Sequence, residues 1–343
     1  MTTAGSTLQS RKVGPLEVSA IGLGCMNLNH AYGVPPTPEE GAALLNRALD
    51  LGVTFFDTAA IYGDGENEKL LGSAIMHRRQ EFVLASKCVL GIVEGKRVVD
   101  GRPETIRRTL DEALQRLRTD YIDLYYLHRL DRNVPVEDSV GELSRAVEAG
   151  KIRHIGLSEM SAATIRRAHA VHPIAAIQTE YSPWVRNPEV AVLDACEALD
   201  IGFVAFSPVA RGFLAGAVKT ADYVPGDIRA VMPRFLEPNL SHNLKLYEQF
   251  GDIADDIGCT PAQLALAWVL ARGPNIVPIP GTRSIAHLEE DLGALDVTLT
   301  PETIDAIDDI FQPGAVHGGR YSAAMQAMVD TELLPEEQED VSA

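Results

Sequence analysis

Short apolar runs alternate along the chain with longer segments of helical period. After a hairpin-like start, Leu8–Val13 and Leu16–Ala20 about a Gly14-Pro15 turn, the runs are Ile21–Met26, Val53–Phe56, Phe82–Ser86, Ile122–Leu127, Ile152–Leu157, Ala175–Thr179, Gly202–Phe206 and Ile276–Ile279. They read as eight strands. Between them, apolar residues recur every three or four positions over Glu39–Leu51, Pro103–Leu117, Val136–Ala149, Ser161–His172, Glu189–Leu199 and Pro261–Leu270. The boundaries carry stop and start signals: Pro38 and Pro103 at helix starts, Ser161 as an N-cap, Gly150 as a C-terminal stop.

Eight strand–helix units predict an α/β protein of the (β/α)8 TIM-barrel class, with a short N-terminal β-hairpin. A doubly wound open sheet is the alternative. It would normally open with G-x-G-x-x-G after its first strand, whereas Gly22-Leu23-Gly24 lacks the third glycine and enters no helix. One domain is expected over 1–343, with a core of about residues 13–312 and a tail over 313–343. Leu214–Asn243 loses periodicity and contains Pro225, Gly226, Pro233 and Pro238, so a long loop follows the seventh strand. The acidic end, Pro335–Ala343, is expected to fray.

Composition narrows the partners. The net charge of −18, from 30 basic and 48 acidic residues, argues against nucleic acid or an acidic membrane surface. A phosphate-bearing cofactor would need a local basic pocket. Cys25, Cys88, Cys196 and Cys259 are widely separated, suggesting reduced thiols and no metal site. Met1–Arg11 is polar, and no stretch approaches a membrane span, so a cytoplasmic enzyme with a small-molecule substrate is expected. Oligomeric state leaves no signal.

In a barrel enzyme the chemistry sits at the C-terminal ends of the strands. Asp57 ends the second apolar run, with Tyr62 in the loop after it; Lys87 ends the third and His128 the fourth. Singly, each has a structural explanation: a carboxylate satisfying loop amides, a lysine reaching for solvent, a hydrogen-bonded core histidine. Together they make a proton-transfer set. A phenol of ordinary pKa about 10 is a poor acid near neutrality, and an adjacent ammonium would lower that value. Asp57 would keep a buried Lys87 charged, and His128 would orient a carbonyl oxygen.

The order Asp57, Tyr62, Lys87, His128 resembles the catalytic tetrad of the aldo/keto reductase family. So do the phrases around it: Phe56-Asp57-Thr58-Ala59, Leu71-Gly72, Ala85-Ser86-Lys87 and Asp123-Leu124-Tyr125-Tyr126-Leu127-His128. The resemblance runs from about Val13 to Gln312. It implies NADPH-dependent reduction of an aldehyde or ketone, with Tyr62 as proton donor. A nucleotide-binding regulatory subunit that keeps the same barrel is a second possibility, and a Schiff-base lyase using Lys87 a third.

The resemblance also implies a cofactor set. Ser158 and Gln178 would hold the nicotinamide carboxamide and Tyr181 would stack on its ring. Most of the family carries Asn at position 159; Glu159 matches some bacterial and plant members. Ser207, Pro208, Gly212 and Leu214 would contact the pyrophosphate, with the following loop as a flap bearing Arg229 and Arg234. Gly281, Thr282 and Arg283 precede a helix starting near Ser284, whose free amides suit a phosphate, and Arg283 suits a 2′-phosphate. Glu290 would face the adenine, with Asp291 where Asn is usual and His287 where some members carry an arginine. Met26, Tyr32, Arg129 and Trp184 lie on loops at the same end and are expected to line the substrate pocket.

Overall fold

The computed structural model describes residues 8–29, 31–335 and 337. Among them eight parallel strands form the barrel wall: β3 (Leu23–Gly24), β4 (Phe55–Asp57), β5 (Val83–Cys88), β8 (Ile122–Leu127), β9 (Ile152–Ser158), β10 (Ile174–Glu180), β11 (Gly202–Phe206) and β12 (Ile276–Ile279). Each pairs with the next in this order, and the circle closes where the Gly22 and Gly24 amides donate to the carbonyls of Pro278 and Pro280, both at 3.0 Å. This is the expected (β/α)8 barrel. Phe55, Ala85, Leu124, Tyr126, Ala176, Val204 and Val277 fill its interior. Gly156 on β9 lies so close to the Tyr126 ring that a Cβ would sit 2.3 Å from it, so only glycine admits the tyrosine there.

The N-terminal hairpin, β1 (Ser10–Val13) and β2 (Leu16–Ser19), packs Val13, Leu16 and Val18 under this interior, at the starts of the strands. At its turn Gly14 takes φ 56° and presses on the Ala175 carbonyl, where a side chain would lie at 2.4 Å.

The helices form because their faces and ends agree. In α1 (Pro38–Asp50), Thr37 accepts from the Glu40 amide and the Glu40 side chain accepts from the Thr37 amide, while Leu44, Leu45, Ala48 and Leu49 face the strands. The outer layer continues with α2 (Glu66–Ala74), α3 (Pro103–Leu117), α4 (Val136–Glu148), α5 (Ala162–Val171), α6 (Val192–Ala198), α7 (Asn239–Ile257), α8 (Pro261–Ala271), α9 (Ile285–Leu292) and α10 (Pro301–Ile310).

Several boundaries differ from expectation. The first apolar run contributes only two strand residues; Cys25–Leu28 turns as a 3-10 helix and lifts Met26 and Asn27 over the strand end. An extra hairpin, β6 (Leu90–Val93) and β7 (Lys96–Val99), follows β5. The loop after β11 ends where α7 begins, at Asn239 rather than beyond Asn243. The tail carries a short helix, α11 (Ala323–Gln326), and folds back over the rim. Apart from 335 and 337, the end expected to fray lies outside the described residues, as do residues 1–7 of the polar start. No helix among the described residues is long and apolar enough to cross a membrane.

Candidate active site

Three strand ends bring the candidate tetrad together. Asp57 is the last residue of β4, Lys87 lies within β5, and His128 follows β8. Tyr62 opens a 3-10 turn just after β4. The Lys87 ammonium is 1% exposed and spends all three N–H groups: on the Asp57 carboxylate, on the Thr58 carbonyl at 2.9 Å and on the Tyr62 hydroxyl at 3.2 Å. Gln178, on β10, donates to the other Asp57 oxygen at 2.7 Å. The Tyr62 and His128 rings meet edge to face, 6.0 Å apart.

The electrostatics differ from the sequence expectation in one respect. Burial disfavours the Lys87 ammonium, but Asp57 and Tyr62 outweigh it and hold its pKa above the ordinary value. Such a lysine is a fixed cation, not the free amine that Schiff-base chemistry needs. For Tyr62, burial pushes the phenol up, Lys87 pulls it down and Asp57 pushes it up again; the net direction is upward rather than downward. The phenol therefore keeps its proton at neutral pH. Burial, then the charges of Arg129, Lys87 and Arg97, drive His128 well below its usual value, leaving a neutral imidazole whose buried Nδ1 has no hydrogen-bond partner among the described residues.

These groups open on a cavity of about 860 Å³ running along the C-terminal ends of the strands. Of the residues singled out, Asp57, Tyr62, His128, Ser158, Gln178, Ser207, Pro208, Gly212, Gly281, Thr282, Arg283, Glu290 and Asp291 line it, as do Met26, Tyr32 and Arg129. Thr282 and Ser284 shape its far end: Ser284 caps α9 by accepting from the His287 amide. Arg283 is exposed there and donates to the Val34 carbonyl. Asp291 is 7% exposed, and burial, then Glu290, lift its carboxyl to about 8.

Three expected contacts are corrected. Tyr181 is fully buried between Phe203 and Trp268, and its hydroxyl donates to Glu189 at 2.6 Å, so it cannot stack on a ligand in the cavity. Side chains alternate along a strand, and an odd offset from Gln178 turns Tyr181 toward the helices. Trp184 stacks on Phe213 with ring centroids 4.2 Å apart, inside the core. Leu214 is fully buried in the same core and does not reach the cavity.

Glu159 also turns away. Its carboxylate accepts from the Glu180 amide and the Thr331 hydroxyl and pairs with Arg320 at 2.5 Å. Arg320 reaches Glu180 as well, and Glu180 pairs with Arg211 at 2.6 Å. Arg211 lines the cavity and donates to Ser207 Oγ. Of the two loop arginines, Arg229 reaches the cavity beside an Asp227 partner, whereas Arg234 is buried against the Trp184 carbonyl.

Sequence reasoning missed other walls. Phe206 at the end of β11, Arg97 on β7, and Tyr321 and Met325 from the tail all line the cavity. Phe206 left a signal, an aromatic at a strand end immediately before Ser207-Pro208; the others left none, because hairpin and tail reach the site only through tertiary folding.

The model of the aldo/keto reductase family matches residues 20–312. The chain is 43% identical to the aldo-keto reductase yakc [NADP(+)] of Schizosaccharomyces pombe, over 96% of this chain and 99% of that one. It is equally similar, at 43%, to the probable aldo-keto reductase 1 of Glycine max, over 92% of each. Among solved structures it resembles the glycerol dehydrogenase AKR11B4 of Gluconobacter oxydans, with a TM-score of 0.80, 27% identity, and coverage of 97% of this chain and 99% of that one. The aldo-keto reductase AKR11C1 of Bacillus halodurans, in its holo form, aligns at a TM-score of 0.74 and 26% identity over 88% and 96%. With the family model and these relatives spanning nearly the whole barrel, the chain belongs to the aldo/keto reductase family.

Proposed function

We propose that this chain is an NADP(H)-dependent oxidoreductase that reversibly reduces an aldehyde or ketone to the alcohol, with Tyr62 as the proton donor. The observation that carries the reading is the Lys87 ammonium, fixed between the Asp57 carboxylate and the Tyr62 hydroxyl at the wall of a long cavity that His128 also lines. NADPH, when bound, supplies the hydride.

The cavity suits such a cofactor. Ser158 and Gln178 offer polar groups on the cavity wall, and Phe206, also on that wall, supplies an aromatic ring where Tyr181 does not. Ser207 and Arg211 mark the middle, and Arg283 stands with the first turn of α9 at the far end. In so acidic a chain these local cations match a phosphorylated ligand, and Arg283 favours the 2′-phosphate of NADPH over NADH.

The chain's own residues then divide the work. The neutral His128 turns a ring N–H to the carbonyl oxygen. Tyr62 Oη passes its proton to that oxygen as negative charge develops there, and the Lys87 ammonium steadies the phenolate left behind. Asp57 keeps Lys87 charged and in place, with Gln178 fixing the far side of the carboxylate.

The test is consumption of NADPH with 4-nitrobenzaldehyde, with NADH run in parallel. Steady turnover with a preference for NADPH supports the reading. Tight NADPH binding without turnover on a broad carbonyl panel would replace it with a regulatory, nucleotide-binding role.

A further inference from the structure

The catalytic end of the cavity is cationic although the chain as a whole is acidic. Arg129, next to His128, donates to the His128 carbonyl at 2.6 Å and to the Ser158 hydroxyl at 3.3 Å. Among the described residues no carboxylate forms an ion pair with it. Glu159 feels its charge but is committed to Arg320 and Thr331. Arg97 reaches the same region from β7, and Lys87, Arg97 and Arg129 all bear on His128.

Among the described residues, no carboxylate on the cavity wall pairs with Arg129. Asp57 is engaged by Lys87 and Gln178. The other acids on the cavity are Glu40 in α1 and Glu290 and Asp291 in α9. Those helices follow β3 and β12, neighbouring strands across the barrel from β8, which precedes Arg129. Ile61, Leu90 and Met325 add apolar surface to the lining of the same cavity. A partly buried guanidinium that forms no ion pair among the described residues, next to His128 on the cavity wall that Tyr62 also lines, is a fork for an incoming anion.

We propose that the carbonyl compound taken by this site carries an anionic group, a carboxylate or a phosphate, that Arg129 grips. The inference rests on the reductase reading and specifies its substrate class. The anion is held while the carbonyl lies against Tyr62 and His128, so Arg129 acts on selection rather than on proton transfer.

The test compares 4-carboxybenzaldehyde with its neutral methyl ester, and glyceraldehyde 3-phosphate with glyceraldehyde, as ratios of kcat/KM. Wild type should favour the anionic member of at least one pair by about tenfold to a hundredfold, chiefly through KM, as expected for a charge-assisted, forked hydrogen bond. The pair that shows the preference identifies carboxylate or phosphate as the group. In Arg129→Gln that ratio should collapse toward unity. A ratio internal to each variant is insensitive to general loss of activity.

Calorimetric binding of 4-carboxybenzyl alcohol against its methyl ester, and of glycerol 3-phosphate against glycerol, gives a readout without turnover. An anion preference in binding that Arg129→Gln removes would uphold the inference even if no carbonyl were reduced, in which case only the reductase reading would fail. Equal ratios within both wild-type pairs, or a preference that survives Arg129→Gln intact, would overturn it.

Discussion

Two parts of the barrel rim hold buried charge in different ways. Around β4, β5 and β8, a single ammonium is locked between a carboxylate and a phenol, and that phenol, with a neutral imidazole, faces the cavity. Around the ends of β9 and β10, the chain Glu159, Arg320, Glu180 and Arg211 joins the tail to the loop after β11, and three of its four members turn away from the cavity. Most members of both clusters are buried, Tyr62 being half-buried at the cavity. Burial and pairing alone therefore do not mark reactive groups; an unspent donor on the cavity wall does. Under the proposed function the first cluster acts, and the second holds the rim together.

The sharpest way to break this contrast is Tyr62→Phe. Removing one hydroxyl should lower kcat by about 10²–10⁴ while the thermal transition and an NADPH fluorescence titration stay as in wild type. Near-normal turnover would remove Tyr62 from the chemistry.

On the other side, Arg320→Met should chiefly damage stability. It strands Glu159 and Glu180 without their cation, and breaking a buried ion pair in this way costs about 3–5 kcal/mol, measurable by urea denaturation. An unchanged midpoint would mean that the network holds nothing.

Asp291 sharpens the comparison as a third case, a buried carboxyl with no hydrogen-bond or ionic partner among the described residues. Its folded value of about 8 lies above the unfolded value of about 3.9, so between them it is neutral when folded and ionised when unfolded. Its contribution is whole below about pH 4 and is lost as pH rises toward about 8. Asp291→Asn should therefore stabilise the cofactor-free protein at pH 8 by a few kcal/mol, with little effect at pH 4, by denaturation at the two pH values. Equal effects at both would show that the carboxyl titrates normally.

The smallest expected effect belongs to Tyr181→Phe. Losing its bond to Glu189 should cost about 1 kcal/mol of stability and leave NADPH affinity untouched. Weakened cofactor binding would return Tyr181 to the cavity.

The acting cluster was far more legible in the sequence than the holding one. Asp57, Lys87 and His128 stand out as ionisable residues at the ends of apolar runs, a local contrast, and the strand–helix rhythm specifies the barrel that gathers them. Glu180 and Arg211 lie beside the Gln178 and Ser207-Pro208 motifs, yet nothing local shows that Arg320, more than a hundred residues further on, will join them. Tyr181 and Trp184 misled for the opposite reason. They sit next to site residues in sequence, but strand alternation and the turn over Ser182–Val185 direct them into the core. The direction of the Tyr62 shift was likewise unreadable, because it depends on how deeply a loop residue is covered.

The hairpin that opens the chain has a consequence for traffic. With Val13, Leu16 and Val18 packed beneath an interior already filled by side chains, nothing passes through the barrel, and whatever enters the cavity at the strand ends leaves on that same side. If a long ligand and a small one share that passage, the one lodged deeper has to arrive first and depart last.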